Sequence, residues 1–227
     1  MVNARRWVTV SGLVVAIICL AVFGRAADAV TSGEPTHYSA EAIDGRVVDE
    51  ATGQPLSGVA IAVTWDLHGG LHGTHVKWLM LVDTVTDDNG HYHFAAWGPL
   101  GRPPNTALWN SEPTLLLFKG GYKPVQKANT HGRSGPVRQT YWSGRDLPMR
   151  RSSGAEKEYA SDLRLFGSML TWNFFRSCDW EKLPHLVASV LKEAAHVPGA
   201  PDLRATWSAS ARENKCRSLT DVLGELP

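Results

Sequence analysis

Two stretches decide the fold: Thr52-Gly53-Gln54-Pro55-Leu56-Ser57-Gly58-Val59, and Thr86-Asp87-Asp88-Asn89-Gly90-His91-Tyr92-His93-Phe94. In the first, Gly53 supplies a positive φ and Pro55 stops a strand, so the block is a turn between two strands. On either side, Ile43, Gly45, Val47 and Val59, Ile61, Val63 alternate at period two, the mark of half-buried strands. In the second, Asn89-Gly90 predicts a type I′ hairpin turn. Tyr92 and Phe94 leave that turn toward a core, where each buries ~150–250 Å². His91 and His93 then project from the opposite face of the same strand. The turn also accounts for Asp87 and Asp88, because a calcium loop would need a Glu at its end.

Further out, residues 66–75 read as a Gly-rich loop, 76–85 as a strand, 98–106 as a Pro/Gly loop and 114–118 as an apolar strand closed by Gly120-Gly121. Residues 123–151 carry Lys123, Lys127, Arg133, Arg138, Arg145, Arg150 and Arg151 without a clear period and read as a solvated basic loop. Behind them the period becomes helical. Leu163, Phe166, Leu170 and Phe174 share one face, and Leu183, Leu186, Val187, Val190, Leu191 and Ala194 form a second amphipathic stripe. Pro184 belongs in the first turn of that second helix, where its missing N–H costs nothing. A shorter helix is expected from Asp202 toward Cys216.

Gly45-Arg46-Val47-Val48-Asp49, the Thr52–Val59 block, residues 84–94 and Gly120-Gly121-Tyr122 occur in the order that resembles the carboxypeptidase regulatory-like domain. The resemblance implies a seven-stranded β-sandwich of transthyretin/prealbumin-like type over residues 42–125. It implies an accessory role rather than peptidase activity, and fold alone does not fix function. The expected fold class is therefore an all-β sandwich followed by an α-helical C-terminal tail. Residues 30–41 are expected as a linker, 126–153 as a basic linker and 154–227 as the tail.

The N-terminus reads as an export element. Arg5 and Arg6 precede an uncharged apolar run over residues 7–23, and Ala27-Asp28-Ala29 suits cleavage before Val30. Residues 1–29 are either a cleaved signal peptide or a retained membrane anchor. Both readings place the remainder in a periplasmic or extracellular compartment. There the two remaining cysteines, Cys178 and Cys216, are expected to form a disulfide.

A formal net charge of +1 gives no nucleic-acid signal. No His is followed by Glu three residues later, and H-E-x-x-H, G-x-S-x-G and P-loop patterns are missing, so the chain is expected not to be an enzyme. The leading expectation is an exported binding or scaffolding protein recognising an envelope partner. One alternative is a transition-metal protein drawing on the His68–His93 cluster. In it His72, His75, His91 and His93 hold Zn, Cu or Ni, because imidazole suits all three. The other is glycan binding through exposed indoles among Trp65, Trp78, Trp97 and Trp109. Trp142, Trp172, Trp180 and Trp207 are expected to dock the tail onto the sandwich.

Overall fold

The computed structural model describes residues 35–70, 72–130, 135–152 and 156–224. The expected leader and residues 30–34 of the expected linker lie outside these. Eleven strands come first: β1 (His37–Ala40), β2 (Ile43–Asp49), β3 (Ala60–Gly69), β4 (Thr74–Val85), β5 (His91–Phe94), β6 (Trp97–Gly101), β7 (Thr106–Leu108), β8 (Thr114–Phe118), β9 (Val125–Ala128), β10 (Val137–Arg138) and β11 (Arg145–Met149). Helices α1 (Glu156–Leu170), α2 (Pro184–Ala194), α3 (Leu203–Glu213) and α4 (Leu219–Leu223) follow. A π-helical turn at Thr171–Phe175 and a 3₁₀ turn at Asp179–Lys182 join α1 to α2. The fold is the expected β-sandwich with a C-terminal helical region.

The strands make three sheets, ordered β10-β1-β6, β11-β2-β5 and β4-β3-β8-β9, with β7 pairing the far end of β3. Alternation places Ile43, Val47, Tyr92, Phe94, Leu147 and Met149 opposite Ile61, Val63, Trp65, Leu67, Leu115 and Leu117 in the sandwich core. The opposite faces of β3 and β8 are buried too. Ala60, Ala62, Leu116 and Phe118 pack against Leu163, Phe166, Leu186, Val187 and Val190 of the helices. Strands covered on both faces read as continuous apolar runs, which accounts for Leu115-Leu116-Leu117-Phe118.

The boundaries differ from expectation. Residues 126–153 are not a linker: β11 pairs parallel with β2 from Arg145↔Gly45 to Met149↔Asp49 and buries Leu147 and Met149. The expected linker at 30–41 contains β1, whose Tyr38 and Ala40 are in the sandwich core. Within residues 66–75, β3 runs to Gly69 and β4 begins at Thr74, so most of that segment is strand. Asn89-Gly90 does not close a hairpin. β4 pairs with β3 and β5 with β2, so the turn passes between sheets. Asp87 organises it by accepting from the Asn89 and His91 amides.

Behind the strands the helical expectations hold. α1 buries Leu163, Phe166 and Leu170, and α2 starts on Pro184. Asp202 caps α3 by accepting from the Ala205 amide at 2.9 Å. Phe175 stacks between Trp180 and Trp207. Those two indoles build the helical core, while Trp142 lies in the sandwich core and Trp172 is exposed, so docking is not shared among the four. Cys178 and Cys216 form a disulfide with a Cα–Cα distance of 5.3 Å, in a bridge's ordinary range. Such a bridge fits an exported chain. No helix among the described residues is long and apolar enough to cross a membrane.

Candidate functional site

Two places gather chemistry. The first is the outer face of the β11-β2-β5 sheet. Period two turns Asp44 and Arg46 of β2 outward, as it does His91 and His93 of β5. Asp44 lies opposite His93, and Arg46 opposite both His91 and Asp146. His93 Nδ1 sits 2.6 Å from Asp44 Oδ1. Arg46 grips Asp146 with two bonds, Nε to Oδ1 at 3.0 Å and a terminal nitrogen to Oδ2 at 2.6 Å. This pairing holds Asp146 below the usual carboxylate range. These side chains, with Arg145, Asp87 and Thr84, line a shallow cavity of about 620 Å³.

The second place is the far end of the β3–β4 hairpin. Beyond Thr64, β3 leaves β8 and picks up β7. Leu67 stays in the sandwich core, so Asp66 and His68 share the opposite face. Register shifts in β4 bring His75 opposite His68. The connection between β7 and β8 returns Glu112 to the same spot, where it is 5% exposed.

Several outer atoms of this cluster are engaged. His68 Nδ1 meets the Gly73 carbonyl at 3.0 Å, and His75 Nδ1 lies 2.5 Å from Asp66 Oδ1. The Asp66 amide donates to Glu112 Oε2 at 3.2 Å. On the inner side, His68 Nε2 lies 3.2 Å from Asp66 Oδ2 and 3.9 Å from Glu112 Oε1. Trp109 stacks flat on His68 at 3.8 Å. Burial pushes Glu112 up to about 8, against the offsetting Asp66 and Thr114 amides and the charge of Arg138. Burial also raises Asp66, and its bond to His75 opposes that rise.

The four expected metal ligands are not brought together. His75 belongs to the hairpin-end cluster and His72 to the exposed turn beside it, while His91 and His93 stand on β5 in another sheet. Asp66, His68 and Glu112 escaped the sequence reading as a group. The i, i+2 spacing of Asp66 and His68 around an apolar Leu67 was the available signal. Among the described residues, three ligand-type atoms lie mutually within 4.8 Å at Cys178, Glu181 and Cys216, where the disulfide occupies both sulfurs. The glycan reading required coplanar exposed indoles on one face. Trp65 is buried, Trp78 packs on Phe174, and Trp109 has one ring face covered by His68. Trp172, exposed on the π-helical turn, has Arg176 over its ring.

No family model matches the chain. No curated protein matches it either. Solved structures similar to it include a 3-chlorocatechol 1,2-dioxygenase from Rhodococcus opacus 1CP, at 15% identity and a TM-score of 0.33. That match covers 54% of this chain and 63% of the dioxygenase, under two thirds of its length. A dioxygenase domain from Streptomyces sp. SirexAA-E is matched at 16% identity and a TM-score of 0.30, over 53% of this chain and 83% of that one. A streptococcal ancillary pilin is matched at 15% identity and a TM-score of 0.27, over 50% of this chain and 30% of the pilin. These matches correct one expectation. Two of the similar structures are dioxygenases, so the exclusion of catalysis is withdrawn. At these TM-scores no activity and no role is carried over to this chain.

Proposed function

We propose that this chain is an exported binding module of the cell envelope that takes a protein partner on the outer face of its β11-β2-β5 sheet. The carrying observation is the paired row on that face, Asp44 with His93 beside Arg46 with Asp146, spread over three adjacent strands. The helices cover the other sheet of the sandwich, whereas Asp44, His91, His93 and Asp146 are exposed. A shallow cavity lined by both signs of charge suits a polar polypeptide surface better than a small molecule, whose sites are concave and mostly apolar. Alternating charge gives such a face selectivity and register.

The reading of the sandwich as carboxypeptidase regulatory-like is supported by the work its signature residues do. Thr52 and Tyr122 both donate to the buried Asp49 carboxylate. The disulfide and the leader-like sequence at residues 1–29 support a periplasmic or extracellular address, with residues 7–23 as the anchor if the leader is retained.

The test is site-specific photocrosslinking in cells producing the full chain. A photoreactive residue at position 91 is expected to yield a discrete protein adduct that Arg46→Glu with Asp44→Lys removes. The same residue at Lys157, exposed on α1, is expected to yield none. Equal adducts from both positions, or an adduct indifferent to charge reversal, would overturn the reading.

A further inference from the structure

We propose that α1 and the π-helical turn after it pair two copies of this chain, antiparallel about a two-fold axis level with Gly167. This surface belongs to the helical layer and does not depend on the proposed partner face.

α1 carries more apolar surface than its own core uses. Leu163, Phe166 and Leu170 are buried beneath it, yet Leu165 and Trp172 are 68% and 63% exposed, more than any other large apolar side chain among the described residues. Their arrangement is ordered. Glu158, Asp162, Leu165, Met169, Trp172 and Arg176 follow one another at spacings of four, three, four, three and four residues. That alternation is the seam spacing of paired helices, which keeps one stripe of side chains turned toward the partner. Glu158, Leu165, Trp172 and Arg176 are exposed, and Asp162 and Met169 are half-buried. The Arg176 guanidinium lies 3.6 Å over the Trp172 ring, which holds both on the same side of the π-helical turn. Beside the stripe, a groove of about 300 Å³ separates Leu165 and Met169 from Pro124 and Gln126. A neighbouring helix packs by laying its side chains into such a groove.

The order of residues along the stripe selects its occupant. It is acidic at the start, apolar in the middle and cationic at the end. Turned end for end about the level of Gly167, the stripe meets itself in complementary register. Glu158 then faces Arg176 of the second copy, Asp162 faces Trp172 and Leu165 faces Met169, and each contact occurs twice. The first is an ion pair, the second sets a carboxylate against an indole N–H donor, and the third is apolar on both sides. Self-complementarity of one patch is what a two-fold interface requires. A parallel pairing would instead set Glu158 beside Glu158 and Arg176 beside Arg176, which repel. The apolar centre excludes water, while the charged ends fix direction and register. Glu158 serves both its own chain and the second copy, because its side chain is 48% exposed while bonded to Lys123 at 3.0 Å. Lys157, one residue earlier and about 100° round the helix, points away from the seam.

The test uses cells producing two differently tagged copies of the full chain. A photoreactive residue at Leu165 is expected to yield an adduct carrying both tags. Trp172→Ala is expected to reduce it on the order of 10-fold, as loss of an aromatic anchor does. Glu158→Arg and Arg176→Glu are each expected to reduce it roughly fivefold, because each replaces two exposed ion pairs by like charges. Combined in one chain, the two reversals restore complementarity and return the adduct to the parent level. Protection of Cys178 and Cys216 from thiol labelling in each variant shows that the fold is kept. Absence of the two-tag adduct overturns the proposal. So does an adduct indifferent to Trp172→Ala, a combined reversal that stays at the level of the single ones, or capture of lipid or another protein at Leu165 in place of the second copy. This adduct holds two copies of the chain and that of the partner face holds one, so the two proposals fail separately.

Discussion

The Tyr122 hydroxyl donates to Asp49 Oδ2 at 2.8 Å, joining the end of β2 to the turn after β8 across 73 residues. Asp49 is buried, and it also accepts from Arg151 Nε at 2.8 Å and from the Ala51 and Thr52 amides at 3.1 Å. The Tyr122 acceptor is thus the carboxylate that shapes the Thr52-Gly53 turn. The Tyr122 bond, joined by those of Thr52 and Ala51, lowers Asp49 to about 2.

Tyr122→Phe should therefore lower the melting temperature more than Arg151→Ala, because the arginine is largely exposed and exposed ion pairs contribute little. The sign of the pH dependence follows from the lowered value. The Asp49 contribution is fully present above its unfolded value, about 3.9, and is lost as pH falls through about 2. Melting curves from pH 5 to pH 2 should show the parent losing stability more steeply than Tyr122→Phe. Parallel curves would mean the bond does not set the acid limb.

Asp83 should act in the opposite sense. Its carboxylate accepts from the Leu186 amide at 2.9 Å in the first turn of α2, yet burial raises it to about 6. The amide and His185 only partly offset that rise. A raised value means its contribution is complete below about pH 4 and is lost as pH rises through about 6. Denaturant midpoints should decline from pH 4.5 to pH 7, and Asp83→Asn should flatten the decline. An unchanged slope in the variant would assign the effect to another group.

Loss of the disulfide should be felt by the whole chain. The bridge spans 38 residues, and closing such a loop stabilises by about 3–4 kcal/mol in the chain-entropy model. Cys178→Ser with Cys216→Ser should lower stability by about that amount. Because helices and strands share the core on the outer face of β3, unfolding should remain a single transition. Separate transitions in near- and far-ultraviolet circular dichroism would show that the two layers unfold independently.

What was legible in the sequence was local. Tyr92 and Phe94 announced their strand by alternation, and Leu163, Phe166 and Leu170 announced α1 by helical spacing. β11 was hidden because its partner lies a hundred residues away and only Leu147 and Met149 of its five residues are apolar. The basic run around it read as solvated, and its exposed Arg145 is indeed so. Asn89-Gly90 misled because Asp87, rather than paired flanking strands, decides how the chain turns there. Glu112 gave no sign of burial, since it stands between Ser111 and Pro113 in a stretch without apolar periodicity. The hairpin-end cluster depends on three segments meeting, which no single window of sequence displays.

The double coverage of β3 and β8 has a consequence for how the chain comes into being. A polypeptide made from its N-terminus delivers both strands well before α1 and α2 emerge. During that interval Ala60, Ala62, Leu116 and Phe118 form a sticky apolar plate facing solvent. Maturation is therefore a race between arrival of the last seventy or so residues and capture of that plate by a neighbouring chain. A holdase would protect the nascent molecule, even though the finished one hides its reason for needing it.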